Sequence, residues 1–481
     1  MNYPVGCGGF NILTEVVQGR DGVSRPAGRL SSGHRQSQPG ARAFARAVLS
    51  AATLAGIRSG RITPRRRALT RIVFAAAAES AVLACGVTAH ADDGSAPLVV
   101  GQANTVPATP AAPAPAVAGP PAATLSAPAM AGPLALAPSP YSIDLGPAGK
   151  TYISGVVSGL GLLQNHPVPG NATGQLDLSN GQAIIQKIDG LVQYYVQVGA
   201  YSLPALGSAY TPASRATGNF YGPVPEAFFK LAPTDSFSIE AGKLPTLIGA
   251  ENTFSFENMN IERGLLWNQE PAISRGVQLN YTTGPLAFAV SLNDGYYSDR
   301  FNWLSGSVTW TIDSADTLTF AAGGALGRTG YATFATPLPQ NNGALYDLIY
   351  TGTSGPWTIT PYLQVSDVPR DPAVGLARSA TTYGGAVLAA YRFNAHYSLA
   401  GRVEYIDSTG SLANGTPDLL YGAGSKAFSV TLTPTYQYNR FFARTELSYV
   451  RAFDAVPGDT FGPTLSNAGQ VRGLLETGIL F

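Results

Sequence analysis

Charge is scarce in this sequence. Asp, Glu, Lys and Arg make up 12% of its 481 residues, about half the share of roughly 25% usual in soluble domains. Methionine is limited to 3 residues, cysteine to 2 and histidine to 4. From residue 141 onward no apolar run reaches the ~20 residues that a membrane-spanning helix needs, and mean hydropathy is only +0.07. Both argue against a helical membrane protein. Both cysteines, Cys7 and Cys85, lie near the start, so the rest of the chain stands without disulfides. What is plentiful is Gly (55), Tyr (23) and Phe (20). Low charge, many rings and no long apolar run fit strands that are apolar on one face and polar on the other.

The net charge of +1 conceals two unlike parts. Residues 1–91 hold 12 of the Lys and Arg and 3 of the Asp and Glu, leaving 18 positive and 26 negative beyond them, a net of −8. That acidic balance argues against nucleic-acid binding, which wants a basic stripe.

Residues 61–91 read as a secretory signal peptide. Arg65, Arg66, Arg67 and Arg71 form its basic start, residues 72–87 its apolar stretch, and Ala89-His90-Ala91 a cleavage site ending at Ala91. Glu79 is atypical inside the apolar stretch, and acylation at Cys85 is the competing reading. Residues 1–60 precede the signal, as an upstream extension or a misassigned start. Residues 92–149 are dominated over 96–140 by Ala, Pro and Gly. Such a stretch suits an extended, solvated, flexible spacer in the periplasm.

From Lys150 the texture changes to short alternating segments. "FSVTLTPTYQY" places Phe428, Val430, Leu432, Pro434, Tyr436 and Tyr438 on one face and Ser429, Thr431, Thr433, Thr435 and Gln437 on the other. Tight connections, such as Thr283-Gly284-Pro285, Ser354-Gly355-Pro356 and Asn439-Arg440, alternate with long ones near 244–271, 327–343, 407–425 and 454–469. This is the rhythm of a transmembrane β-barrel, with short turns on one side and long loops on the other. Counting back from the C-terminus gives about 16 strands over 150–481, with 14 as the alternative because the first three are the least regular. The fold expected is all-β, an antiparallel barrel closed by the C-terminal strand.

The faces point to lipid outside and water inside. Apolar faces end in rings, as at Tyr397 and Tyr405 or Phe441 and Tyr449, which suits the two membrane interfaces. The polar faces carry Arg402, Glu404, Arg444, Glu446, Arg472 and Glu476 in mid-strand. With Arg392 and Arg440 these form a candidate lumen wall, either an arginine ladder or a set of ion pairs. The longest connection, residues 244–274, holds Glu251, Glu257, Glu262 and Arg263 as candidates for a pore constriction, where charged rings set selectivity. A lid on the outer rim is the alternative. Phe481, the last residue, is the candidate signal for the barrel-assembly machinery.

Catalysis finds little support: His166 and His396 sit in a loop and a turn, with no nucleophile motif or metal cluster beside them. No enzyme and no cofactor are expected.

"PEAFFKLAPTDSFSIEAGKLPTLIGAENTFSFENMNIERGLLW" and "RGVQLNYTTGPLAFAVSLNDGY" resemble the OmpL-like putative β-barrel porins of Gram-negative bacteria. Gly242–Glu251, Arg263–Leu266 and Arg275-Gly276-Val277 carry the likeness, which runs over roughly 150–481. It implies an outer-membrane porin for passive diffusion of small hydrophilic solutes or ions, and it brings no catalytic residues. An adhesin, receptor or structural barrel is the alternative. Partners expected are outer-membrane lipid and lipopolysaccharide and the assembly machinery, with a homotrimer open to barrels of this kind. The net of −8 leans faintly toward cations.

Overall fold

A computed structural model of the chain describes residues 128–137, 140–410 and 420–481. The upstream extension, the signal peptide with Ala91, and residues 92–127 of the expected spacer lie outside the described residues.

Over most strand segments from Lys150 onward every second side chain is apolar, and the strands follow that period. After a short β1 (Tyr141–Asp144) come β2 (Lys150–Gln164), β3 (Gly174–Lys187), β4 (Val192–Tyr201), β5 (Glu226–Thr234) and β6 (Phe237–Pro245). The chain continues through β7 (Ile273–Thr283), β8 (Leu286–Asn293), β9 (Trp303–Thr311), β10 (Asp316–Ala325) and β11 (Ala344–Ser354). It ends with β12 (Trp357–Val368), β13 (Ala380–Arg392), β14 (Tyr397–Ser408), β15 (Lys426–Tyr438), β16 (Phe441–Phe453) and β17 (Gly469–Leu480). Each strand pairs antiparallel with its sequence neighbours, and β17 returns to β2, so β2–β17 form a closed barrel of sixteen strands. β1 is an extra strand, hairpinned to the first four residues of β2. No helix among the described residues is long and apolar enough to cross a membrane.

Closure falls where the sequence expects it. The ladder runs from Arg472 opposite Gln164 to Leu480 opposite Val156. Phe481 extends it by one residue, donating to Gly155 O at 2.9 Å and accepting from Gly155 N at 2.8 Å. A Cβ at Gly155 would stand 2.6 Å from the Phe481 ring, so the missing side chain of one makes the seat of the other.

The outer surface is apolar and uncovered. Leu475, Ile479, Val403, Leu432 and Leu447 are 45–61% exposed, while their strand neighbours Arg402, Glu476 and Glu446 are at most 3% exposed. Rings band both ends of this surface. At the short-turn end Trp357, Tyr391 and Phe393 meet edge to face at 4.8 Å, and Tyr397 meets Tyr436 at 4.9 Å. Tyr383, Tyr405, Tyr449 and Phe453 mark the long-loop end. An apolar band between two aromatic girdles is the exterior a bilayer requires.

The sequence rhythm misjudges one strand. β3 begins at Gly174, whereas clean alternation starts only at Gly181. The cause is a bulge: Ser158 faces Asn180, Gly159 faces Leu178, and Ser179 is the unpaired extra residue. A bulge reverses the face of everything beyond it, which scrambles the period in "LDLSN".

Candidate functional site

The connection between β6 and β7 does not cap the outer rim. It runs inside the barrel, and residues 253–266 are buried without interruption. The wall holds it by a series of charge-assisted bonds, each between a strand side chain and the loop.

The loop first crosses toward β10 and β11. Ile248 packs on Ala321 and Leu345, and Gly249 N donates to Asp347 Oδ2 at 2.8 Å. It then reaches β14, where Arg402 Nη1 donates to Glu251 Oε1 at 2.6 Å and to Glu262 O at 2.7 Å. The loop also closes on itself, because Gly264 N donates to Glu251 Oε2 at 2.8 Å. On β16, Arg444 donates to the carbonyls of Asn258 and Ser255 at 3.1 and 2.9 Å. Glu446 accepts from the backbone of Ile261 and Glu262 at 2.5 and 3.1 Å. On β17, Arg472 Nη1 meets Glu262 Oε1 at 2.6 Å, and Glu476 Oε1 accepts from Ser255 Oγ at 2.8 Å. Tyr362 and Gln364 of β12 bond Glu270 at its far end.

Six of the eight wall candidates therefore converge on this loop: Arg402, Glu404, Arg444, Glu446, Arg472 and Glu476. The ladder of five arginines does not form. Arg440 lies in the β15–β16 turn and donates to Tyr141 OH at 3.2 Å. Arg392 is exposed at the short-turn end of β13. The remaining three arginines are ion-paired: Arg402 to Glu404 at 3.1 Å and Glu251, Arg444 to Glu476 at 2.5 Å, and Arg472 to Glu262. Two of the loop's expected constriction residues do not meet wall arginines. Glu257 Oε2 accepts from its own loop's Phe254 N at 3.0 Å. Arg263 lies over the Trp267 ring at 5.1 Å, with the carboxylates of Glu251, Glu262, Glu476 and Glu257 acting on it through space.

Around these bonds the lumen is packed like a protein core. Phe254 and Phe256 join Val156, Ile184, Tyr195, Tyr201 and Phe442, while Leu265 and Leu266 join Leu206, Tyr362, Leu388 and Tyr421. The connection between β4 and β5, with its helix α1 (Ala213–Asn219), adds Leu203, Tyr210 and Ala216. So the side of the lumen made by β2–β4 and β12–β17 is filled.

The opposite wall is of another kind. From β6 to β12 its inward side chains in the short-turn half are mostly hydroxyls and amides, interrupted by Ala287, Ala289 and Ile349, with Lys230 and Glu240 paired at 3.5 Å on its edge. Thr309 bonds Thr319 at 2.9 Å, Thr351 bonds Thr360 at 3.2 Å, and Gln278 donates to Asn280 at 2.8 Å. Asn280, Ser307, Thr309, Thr319 and Thr351 are only half-buried. At loop level this wall is separated from Thr246, Leu247 and Pro271 by a narrow cleft lined also by Gln278, Ser291 and Ser305. This wall leaves little signal in the sequence, because it carries almost no charge and alternating Ser and Thr are equally the mark of any half-polar strand.

A family model described as putative beta-barrel porin-2, OmpL-like, matches residues 150–481. No curated protein matches the chain. Similar solved structures include an anion-selective porin from Comamonas acidovorans, at 11% identity over 69% of this chain and 99% of that one, with a TM-score of 0.47. OmpT of Vibrio cholerae, as a loop L8 deletion mutant, is similar at 12% identity over 69% and 99%, with a TM-score of 0.46. The outer membrane channel DcaP of Acinetobacter baumannii is similar at 9% identity over 69% and 97%, with a TM-score of 0.46.

Proposed function

Because the chain belongs to the putative beta-barrel porin-2, OmpL-like family, we propose that it is an outer-membrane channel for passive diffusion of small hydrophilic solutes. Its short turns then face the periplasm and its long loops the exterior. The observation that carries the reading is the half-buried hydroxyl and amide wall facing the filled side of the lumen. Sixteen strands enclose room for an aqueous path; in this reading it follows the hydroxyl wall and is narrowest where Ile248 and Gly249 of the inward loop meet β10 and β11. Hydroxyls and amides exchange hydrogen bonds with water and neutral polar solutes without favouring one ionic sign. The buried charges, by contrast, are committed to holding the loop. The chain's net of −8 beyond residue 91 is therefore a poor guide to selectivity.

Refolded protein in a planar bilayer tests this. The expected result is a small, stable conductance, a reversal potential near zero in a KCl gradient, and entry of small sugars into loaded vesicles. A strongly ion-selective current that excludes sugars would contradict the hydroxyl path, and no conductance from either the complete chain or one shortened to the barrel would sink the channel.

Phe481 fits the role of assembly signal, since it forms the last rung of the closing ladder. Removing it should sharply lower the folded barrel recovered from outer membranes. The purified variant, refolded in detergent, should still show the heat-modifiable gel shift. Equal loss in both settings would mean that Phe481 matters for stability alone.

A further inference from the structure

The segment just upstream of the barrel, "PAMAGPLALA" at 128–137, suits a flexible spacer by composition, yet it lies inside the lumen. It enters at the short-turn mouth, where Ala135 and the Gln437 side chain exchange two hydrogen bonds of 2.9 and 2.7 Å. Further in, Leu134 is 2% exposed, in the cluster formed by Val156, Phe254, Phe256, Phe442 and Leu480. Ala131 N and Gly132 N then donate to Glu257 O of the inward loop at 2.8 and 3.1 Å. Asn252 Nδ2 of the same loop donates to Ala129 O at 3.1 Å. Approach is so close at Gly132 that a Cβ there would stand 2.1 Å from Asn258 O.

We propose that residues 128–137 are a regulatory strap, a stretch of this chain that occupies the lumen, braces the inward loop and holds the channel in a low-conductance state until it withdraws. Its composition suits both positions. It carries no charge, so it enters a packed lumen without burying an unpaired ion. Pro128 and Pro133 keep it extended, so its backbone needs few partners when it leaves. Its anchors outside the lumen are separate: β1 pairs with β2, and Arg440 stacks on the Tyr141 ring at 5.3 Å. The strap can therefore leave without undoing the barrel.

The conductance part rests on the channel reading above, and the labelling part does not. Both native cysteines precede the expected cleavage after Ala91, so Leu134→Cys gives the exported chain a single thiol. A water-soluble maleimide should label it in the folded protein at least about tenfold more slowly than in the urea-unfolded protein. Adding Gly132→Leu, which cannot sit beside Asn258, should restore fast labelling while the heat-modifiable shift persists. In bilayers, Gly132→Leu and a chain lacking residues 92–137 should both rise to the same higher conductance. Fast labelling of folded Leu134→Cys would overturn the docking. Slow labelling with unchanged conductance in both variants would overturn the regulatory role. If neither the complete nor the shortened chain conducts, the channel reading fails, and the labelling ratio alone judges the docking.

Discussion

Deleting residues 252–266 raises single-channel conductance severalfold while the barrel continues to fold. The loop doubles back close to the cut, since Gly264 N, three residues before Trp267, bonds the Glu251 side chain at 2.8 Å. Joining Glu251 to Trp267 therefore asks little of the remaining loop. The deletion removes a stretch buried on all sides, whose departure opens the filled half of the lumen along β14–β17. It also predicts what the widened channel selects. The uncovered wall would present Arg402, Arg444 and Arg472 beside Glu404, Glu446 and Glu476, equal numbers of each sign. Two of the arginines are already paired with wall carboxylates. Conductance should thus rise far more than the reversal potential moves. A conductance equal to that of the intact chain would mean that the solute path never passes the loop.

The architecture was legible in the sequence because the lipid face must alternate. β15 shows why: an apolar side chain at every second position from Phe428 to Tyr438 has no purpose unless that face meets something apolar. The long connection after β6 was legible as special from its length and its five carboxylate and guanidinium groups. Its partners were not. Arg402, Arg440, Arg444 and Arg472 look alike in sequence, yet three are buried clamps on loop carbonyls and carboxylates, and Arg440 stacks on a ring outside the lumen. What separates them is the angular position of each strand around the barrel and its height relative to the loop. Neither is a local property of the chain. The strap was hidden for a similar reason. Ala, Pro and Gly have no preference that announces docking, and only the space beside Asn258 gives Gly132 its meaning.

Replacing Glu476 alone should be the most damaging single substitution in the barrel, and replacing it together with Arg444 should be far milder. Glu476 is fully buried and accepts from Ser158, Ser179, Asn180 and Ser255 on one oxygen. Its other oxygen takes Arg444 Nη2 at 2.5 Å. Those bonds tie β2, β3, β16, β17 and the loop to one point. With Glu476→Leu, Arg444 keeps its charge in a site that water does not reach, with only two loop carbonyls as acceptors. Loss of one partner from a buried pair costs about 3–5 kcal/mol. The double variant Arg444→Met, Glu476→Leu removes both charges and leaves four small polar groups to bond one another. Asn180 Nδ2 already donates to Ser158, Ser179 and Ser255 at 2.8–3.1 Å. Urea titration of the heat-modifiable form measures the two single variants, Arg444→Met and Glu476→Leu, and the double. The cycle should return a coupling of at least about 2 kcal/mol, because neighbours in one network do not add. If the two single losses simply sum, the pair is not the clamp described, and Arg444 holds the loop through its carbonyl bonds alone. Conductance measured on the double variant then separates structure from selectivity. A clamp predicts noisier current from a loosened loop with little change in ion preference, whereas a pore-lining pair predicts a shifted reversal potential and a quiet trace.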